Sequence, residues 1–182
     1  MPDDEAARWV VVIPRLPSDP SRYRVAVWRE LRRAGAVQVG QGTWALPASN
    51  ATTEEIGKLE ALTAPSGGEL LVLVAHTWAQ DRVDRLQVLY DDARRAEWVE
   101  FGSECGKAVA ELRREIETQK FTLAELDEEE QNVDRLRRWH RELTMRDRFG
   151  AVDREEMQAR LDECSTELAC FTELVYDAVG LR

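Results

Sequence analysis

Little in this 182-residue chain invites a catalytic reading, for it holds only three cysteines and two histidines. The cysteines, Cys105, Cys164 and Cys170, are odd in number, which argues for free thiols and against a disulfide framework. Cys164 and Cys170 do not share a helix face, and with His76 and His140 they give no metal-ligand spacing. Cys105 and Cys164 fall in apolar stripes, so they read as core thiols. Neither histidine sits in a motif for nucleophilic catalysis. Gly40-Gln41-Gly42 is too short for a phosphate loop and follows the wrong element. The end of the first strand, Ile13-Pro14-Arg15-Leu16, lacks the carboxylate that a metal-dependent nuclease would place there. The expectation is a protein that is not an enzyme and uses no cofactor or metal. No apolar run approaches the length of a membrane span, and the acidic start MPDDEAAR has no hydrophobic signal core. Both absences point to a cytoplasmic protein. There is no internal repeat and no low-complexity tract.

What is present is an uneven charge. The chain carries a net −10, yet Arg8 to Asn50 holds seven arginines against Asp19 and Glu30. That segment is therefore +5 and the remainder −15. A basic quarter on an acidic body is either a set of internal ion pairs or a surface for an anion. The segment centres on Ser18 to Pro47. Asp19 suits a helix cap with Pro20 at the first helical position, and Gly35 suits the stop past the last turn. At helical spacing Tyr23, Val27, Leu31 and Ala34 share one face, and Arg22, Arg29, Arg32 and Arg33 lie opposite. Trp28 and Trp44 flank the patch and read as core anchors ahead of base-stacking platforms.

Taken in order, Trp9 to Ile13 reads as a buried strand, followed by the arginine helix. Ala36 to Val39 and Thr43 to Leu46 read as two strands around Gly40 to Gly42. Thr52 with Glu55 opens a short helix to Leu62 as a capping box. Pro65 to Gly68 is a loop, and Glu69 to Ala75 a further buried strand. The order βαββαβ predicts a ferredoxin-like domain over residues 1–78, with four antiparallel strands under two helices. After Trp78 the pattern is helical throughout, giving a second domain over 79–182. Leu86, Leu89, Ala93, Phe101, Cys105, Val109, Leu112 and Ile116 form a stripe, on one long helix or two in near-line. Thr122 with Glu125 and Phe121 with Leu126 start the next helix, which buries Leu126, Val133, Leu136, Trp139 or His140, and Leu143. Asp153 with Glu156 starts the last, burying Met157, Leu161, Cys164, Leu168, Phe171 and Val175. The fold class is α+β, a ferredoxin-like domain followed by an antiparallel bundle of about three long helices.

Two further clusters carry charge. Asp127 to Glu130 suits a solvated helix start more than a hard-cation site. Arg135, Arg137, Arg138, His140, Arg141, Arg146 and Arg148 surround Trp139. They form either an ion-paired helix face or, through Lys107, Arg135, Arg138, Arg141 and Arg146, a wall for a tetrahedral oxyanion.

The run WVVVIPRLPSDPSRYRVAVWRELRRAGAVQVGQGTWALP resembles the N-terminal domain of ChrB-type chromate-resistance regulatory proteins. The likeness continues through AEWVEFGSECGKAVAELRREI, KFTLAELDEEE, LRRWHREL and MRDRFGA. Part of the first run is similar, more weakly, to the ferredoxin-like domain of PaaX-type repressors. The resemblance implies a cytoplasmic transcriptional regulator that binds promoter DNA and responds to chromate. By matching position it assigns DNA contact to Arg15, Arg22, Arg24, Arg29, Arg32 and Arg33. Family members with full regulatory behaviour carry a second, C-terminal domain, and this chain stops at Arg182. Chromate sensing is then expected to be absent or supplied by a separate partner. A homodimer is expected, because a four-stranded sheet leaves edges to cover. The alternative is a non-catalytic accessory module that binds a protein or an oxyanion and touches no DNA.

Overall fold

The run WVVVIPR has side chains alternating between two apolar layers, and it forms β1, Trp9–Arg15, at the centre of a four-stranded sheet. The computed structural model describes residues 9–48, 50–75 and 80–181; MPDDEAAR, His76 and Trp78 lie outside them. The chain continues as α1 (Ser21–Arg33), β2 (Val37–Gly40), β3 (Thr43–Pro47), α2 (Asn50–Thr63) and β4 (Glu69–Ala75). Three helices follow: α3 (Gln80–Glu117), α4 (Leu123–Arg146) and α5 (Arg154–Val179). The architecture is α+β and mostly helical. Sheet order is β2-β3-β1-β4 with every neighbour antiparallel, and Val12 lies opposite both Trp44 and Val72.

Because successive strand residues face opposite ways, β1 serves two layers. Val10 and Val12 join Val27, Leu31, Trp44, Leu46 and Leu59 in a core beneath α1 and α2. Trp9 faces the other way and packs with Val37, Ala45 and Tyr90. Tyr90 belongs to α3, whose Leu86 and Ala93 complete this layer. The chain accordingly divides into compact units at residues 1–93 and 94–182. The change of sequence character near residue 78 marks where the helix begins, while the first compact unit extends along it to Ala93.

The expected cap of α1 is not made. Pro20, with extended backbone, holds the N-cap position, no side chain caps the helix, and helical residues begin at Ser21. Asp19 is one residue too early to reach the open N–H groups. The stop is as expected: Gly35 has φ 79°. Its N–H donates to Arg32 O at 3.1 Å and that of Ala36 to Leu31 O at 2.9 Å, the paired closure that a left-handed residue allows. Helix α2 starts before Thr52, which therefore lies in its first turn and donates its hydroxyl to Pro47 O.

In the second unit α3 is one continuous helix through Gly102 and Gly106. Both later caps form as the sequence indicates. Thr122 accepts from the Glu125 N–H at 3.2 Å, and Asp153 from those of Glu155 and Glu156 at 2.9 and 3.3 Å. α4 returns along α3, with Trp98 meeting Asp147 and Glu104 meeting Arg135. α5 lies beside α3, with Arg113 bonded to Glu163 and Glu167. Phe101, Cys105, Leu112, Val133, Leu136, Cys164 and Phe171 share one core. Leu89, expected in the stripe, is 48% exposed, while Tyr90, Trp98 and Ala108, which the stripe omits, are buried, as are the charged Arg94 and Glu115. Among the described residues no helix is long and apolar enough to cross a membrane.

Candidate nucleic-acid interface

Burying Val27, Leu31 and Ala34 against the sheet turns the arginines of α1 outward. Their surroundings differ. Arg33 forms a double hydrogen bond with Glu30, one arm at 2.9 Å. That bond, with the guanidinium charge, holds the Glu30 carboxyl below its ordinary value against the upward push of burial. Arg15 pairs with Glu69 at 3.5 Å, an exposed and loosely held contact. Arg22 lies over the Tyr23 ring at 4.9 Å and donates to its hydroxyl at 3.1 Å. The Arg32 guanidinium lies over the Trp28 ring, 5.4 Å from its centroid. Arg24 and Arg29 are exposed and, among the described residues, have no hydrogen-bond or ion-pair partner.

The two tryptophans expected as core anchors separate. Trp44 is buried, but Trp28 is 48% exposed. Its position, four residues from both Arg24 and Arg32, sets it on their stripe and off the buried face. A cavity of about 180 Å³ opens beside it, walled by Pro14, Leu16, Arg24 and Trp44 and floored by Val27 and Leu31.

The members of the second arginine cluster have different surroundings. Lys107 and Arg135 both reach Glu104, at 2.6 and 3.6 Å. Arg146, mostly buried, bridges Glu97 at 3.4 Å and Glu142 at 3.6 Å. Arg137 pairs with Asp134 at 2.8 Å. Arg138 and Arg141 are exposed without a hydrogen-bond or ion-pair partner among the described residues. His140 lies inward, between the Trp98 and Phe101 rings. Burial pushes its imidazole below the usual histidine value, so it adds no cation at neutral pH.

The acidic run is less solvated than its sequence suggests. Glu129 is 5% exposed and one carboxylate oxygen has no hydrogen-bond partner. It lines a mixed groove with Glu111, Glu128, Asp134, Arg135 and Arg138. Burial raises its pKa, the Asn132 hydrogen bond opposes this, and Glu111, Glu128 and Glu115 add to the rise. Among the described residues no group of three or more metal-binding side chains is placed to hold an ion. Because the folded state holds this proton more tightly than the unfolded chain, Glu129 favours folding most below the ordinary value of 4.5. That contribution is lost as pH rises through the raised folded pKa. Glu129→Gln is therefore expected to be more stable than the parent at pH 7, with the difference shrinking on acidification. Urea melts at several pH values measure it, and a difference constant with pH would contradict it.

The family described as Protein ChrB, N-terminal matches residues 24–181. With nearly the whole chain matched, the protein belongs to this family, which associates it with chromate-resistance regulatory proteins. The match takes in Arg24, Arg29, Arg32 and Arg33, while Arg15 and Arg22 precede it. No curated protein and no solved structure matches the chain.

Proposed function

We propose that the chain is a non-catalytic, cytoplasmic DNA-binding regulator of the chromate-resistance ChrB type, contacting phosphates through α1. The observation that carries this reading is that Arg24 and Arg29 stand exposed on one short helix, with no hydrogen-bond or ion-pair partner among the described residues, while the rest of the chain is strongly acidic. An arginine that its own chain leaves unmatched is available to a polyanion, and phosphates are what such arginines hold on a duplex. Arg22 and Arg32, each resting on an aromatic ring, keep their charge and extend the surface. Arg33 and Arg15 contribute less, since Glu30 and Glu69 already meet them.

The element order and the strand order β2-β3-β1-β4 support a ferredoxin-like first domain. The shared core of α3, α4 and α5 supports an antiparallel bundle for the second. A homodimer is the proposed working form, since β2 and β4 are sheet edges with unpaired backbone groups.

The test is a salt series on a duplex from upstream of its own gene. Each phosphate contact contributes about 0.9 to the logarithmic salt slope. The double variant Arg24→Ala, Arg29→Ala is expected to bind at least tenfold more weakly, with a slope lower by about 1.8. An unaltered slope removes α1 as the contact surface. A second reading, a protein-binding module that touches no DNA, draws on the internal Arg33–Glu30 and Arg15–Glu69 pairs. Failure of the parent chain to shift that duplex at low salt would favour it.

A further inference from the structure

We infer that Trp28 and the cavity beside it form a seat for one unstacked nucleobase, with the phosphates on either side held by Arg24 and Arg32. This rests on the DNA-binding reading and specifies what part of the nucleic acid α1 takes. Trp28 is a large ring left 48% exposed on the arginine-bearing face of α1, where Val25 is the other exposed apolar side chain. Arg24, Trp28 and Arg32 follow one another at intervals of one helical turn, so they form a single stripe of cation, ring and cation. Arg32 already lies over the indole at 5.4 Å, a cation–π contact that helps to order the ring. The cavity of about 180 Å³ has apolar walls from Leu16 and Trp44 and one charge, Arg24, which has no partner among the described residues. A space of that kind fits a flat, uncharged ring tethered to an anion. An aliphatic side chain of a protein partner would fill the walls and leave Arg24 unmatched; a nucleotide satisfies both. A base reaches the seat only when it leaves the stack, so the preferred substrate is a duplex with an unpaired base.

The experiment compares the full-length chain on a fully paired duplex and on the same duplex with one bulged base, by fluorescence anisotropy across a salt series. The parent is expected to bind the bulged duplex about tenfold more tightly. Trp28→Ala is expected to lose that preference with the salt slope retained, since the slope counts phosphate contacts. Trp28→Phe, which keeps an aromatic face, is expected to keep most of it. A parent chain that binds both duplexes equally overturns the base seat while the DNA-binding reading stands. So does a Trp28→Ala variant that keeps the preference. Equal weakening on both duplexes, unrelieved by phenylalanine, makes Trp28 a support for α1 and likewise overturns the seat. If the parent binds neither duplex at low salt, the DNA-binding reading fails first and the base seat with it.

Discussion

Asp147→Ala is expected to cost the second unit about 3–5 kcal/mol, because one buried carboxylate organises the whole turn from α4 to α5. Asp147 is 1% exposed and stands at the C-cap of α4. Its side chain accepts from the Trp98 indole N–H at 3.2 Å, from the Gly150 N–H at 3.0 Å and from the Ala151 N–H at 2.9 Å. Arg154 donates to its backbone carbonyl. Alanine would strand three donors at once, two of them on the backbone of a loop that has nowhere else to turn. Gly150 turns the loop at φ 72°, a left-handed backbone that favours glycine. A loss of 1 kcal/mol moves the midpoint of a domain this size by about 4–8 °C, so the variant should melt at least about 12 °C below the parent. Asp147→Asn keeps one acceptor oxygen and should fall between. Thermal melts followed by near-ultraviolet dichroism, where Trp98 reports, make the comparison. A midpoint for the alanine variant within a degree or two of the parent would show that the loop's hydrogen bonds carry little of the stability.

Asp147 also shows where sequence reading stops. The caps Thr122 and Asp153 were legible because a cap and its partner lie within three residues of each other. Gly35 was legible because a helix stop at positive φ selects glycine. The apolar run from Trp9 to Ile13 declared β1 through its own composition. Asp147, by contrast, looks like one more acid in an arginine-rich stretch, and one of its three donors, Trp98, is 49 residues away. Glu129 reads as part of a solvated tetrad until the helix phase turns it inward. In α3 the choice between Leu89 and Tyr90 is a rotation of about 100°, and hydropathy favours the leucine. The packing chose the tyrosine, which meets Trp9 edge-on over the sheet face that Trp9 occupies.

The candidate surface was legible as a pattern and not as a state of charge. Counting arginines on α1 gave the face. It did not separate Arg33, held by Glu30, from Arg24 and Arg29, which are held by nothing among the described residues. The spacing of Glu30 and Arg33, one turn apart, was the available signal for the first. For Arg146 the local signal was Glu142, four residues earlier, while its other partner, Glu97 on another helix, had none. Trp28 did have a local signal, its spacing of four from Arg24 and Arg32, but the ring's hydropathy argued for the core.

Tyr90→Ala is the expected largest loss in the first unit. Tyr90 is fully buried, its ring 5.6 Å from that of Trp9 at an interplanar angle of 70°. Together with Leu86 and Ala93 it covers the sheet face opposite α1 and α2, where Trp9, Val37 and Ala45 would otherwise meet water. Removing a large buried ring costs about 3–5 kcal/mol, transfer and cavity combined. Tyr90→Phe keeps the edge-on contact and should lose much less. The loss belongs to one layer, so amide hydrogen exchange is the discriminating measurement: β1, β3 and β4 should lose protection while α4 and α5 retain theirs. The functional consequence follows from the same geometry. The arginines of α1 are presented only while Val27 and Leu31 remain seated on β1 and β3, so, under the proposed DNA-binding function, the variant should bind a duplex like the parent when cold and lose binding at a lower temperature. Retained protection in the strands would mean that the start of α3 is not needed to hold the sheet. Weaker binding at low temperature, with the strands still protected, would place Tyr90 in the contact surface and contradict its role as a purely structural cover.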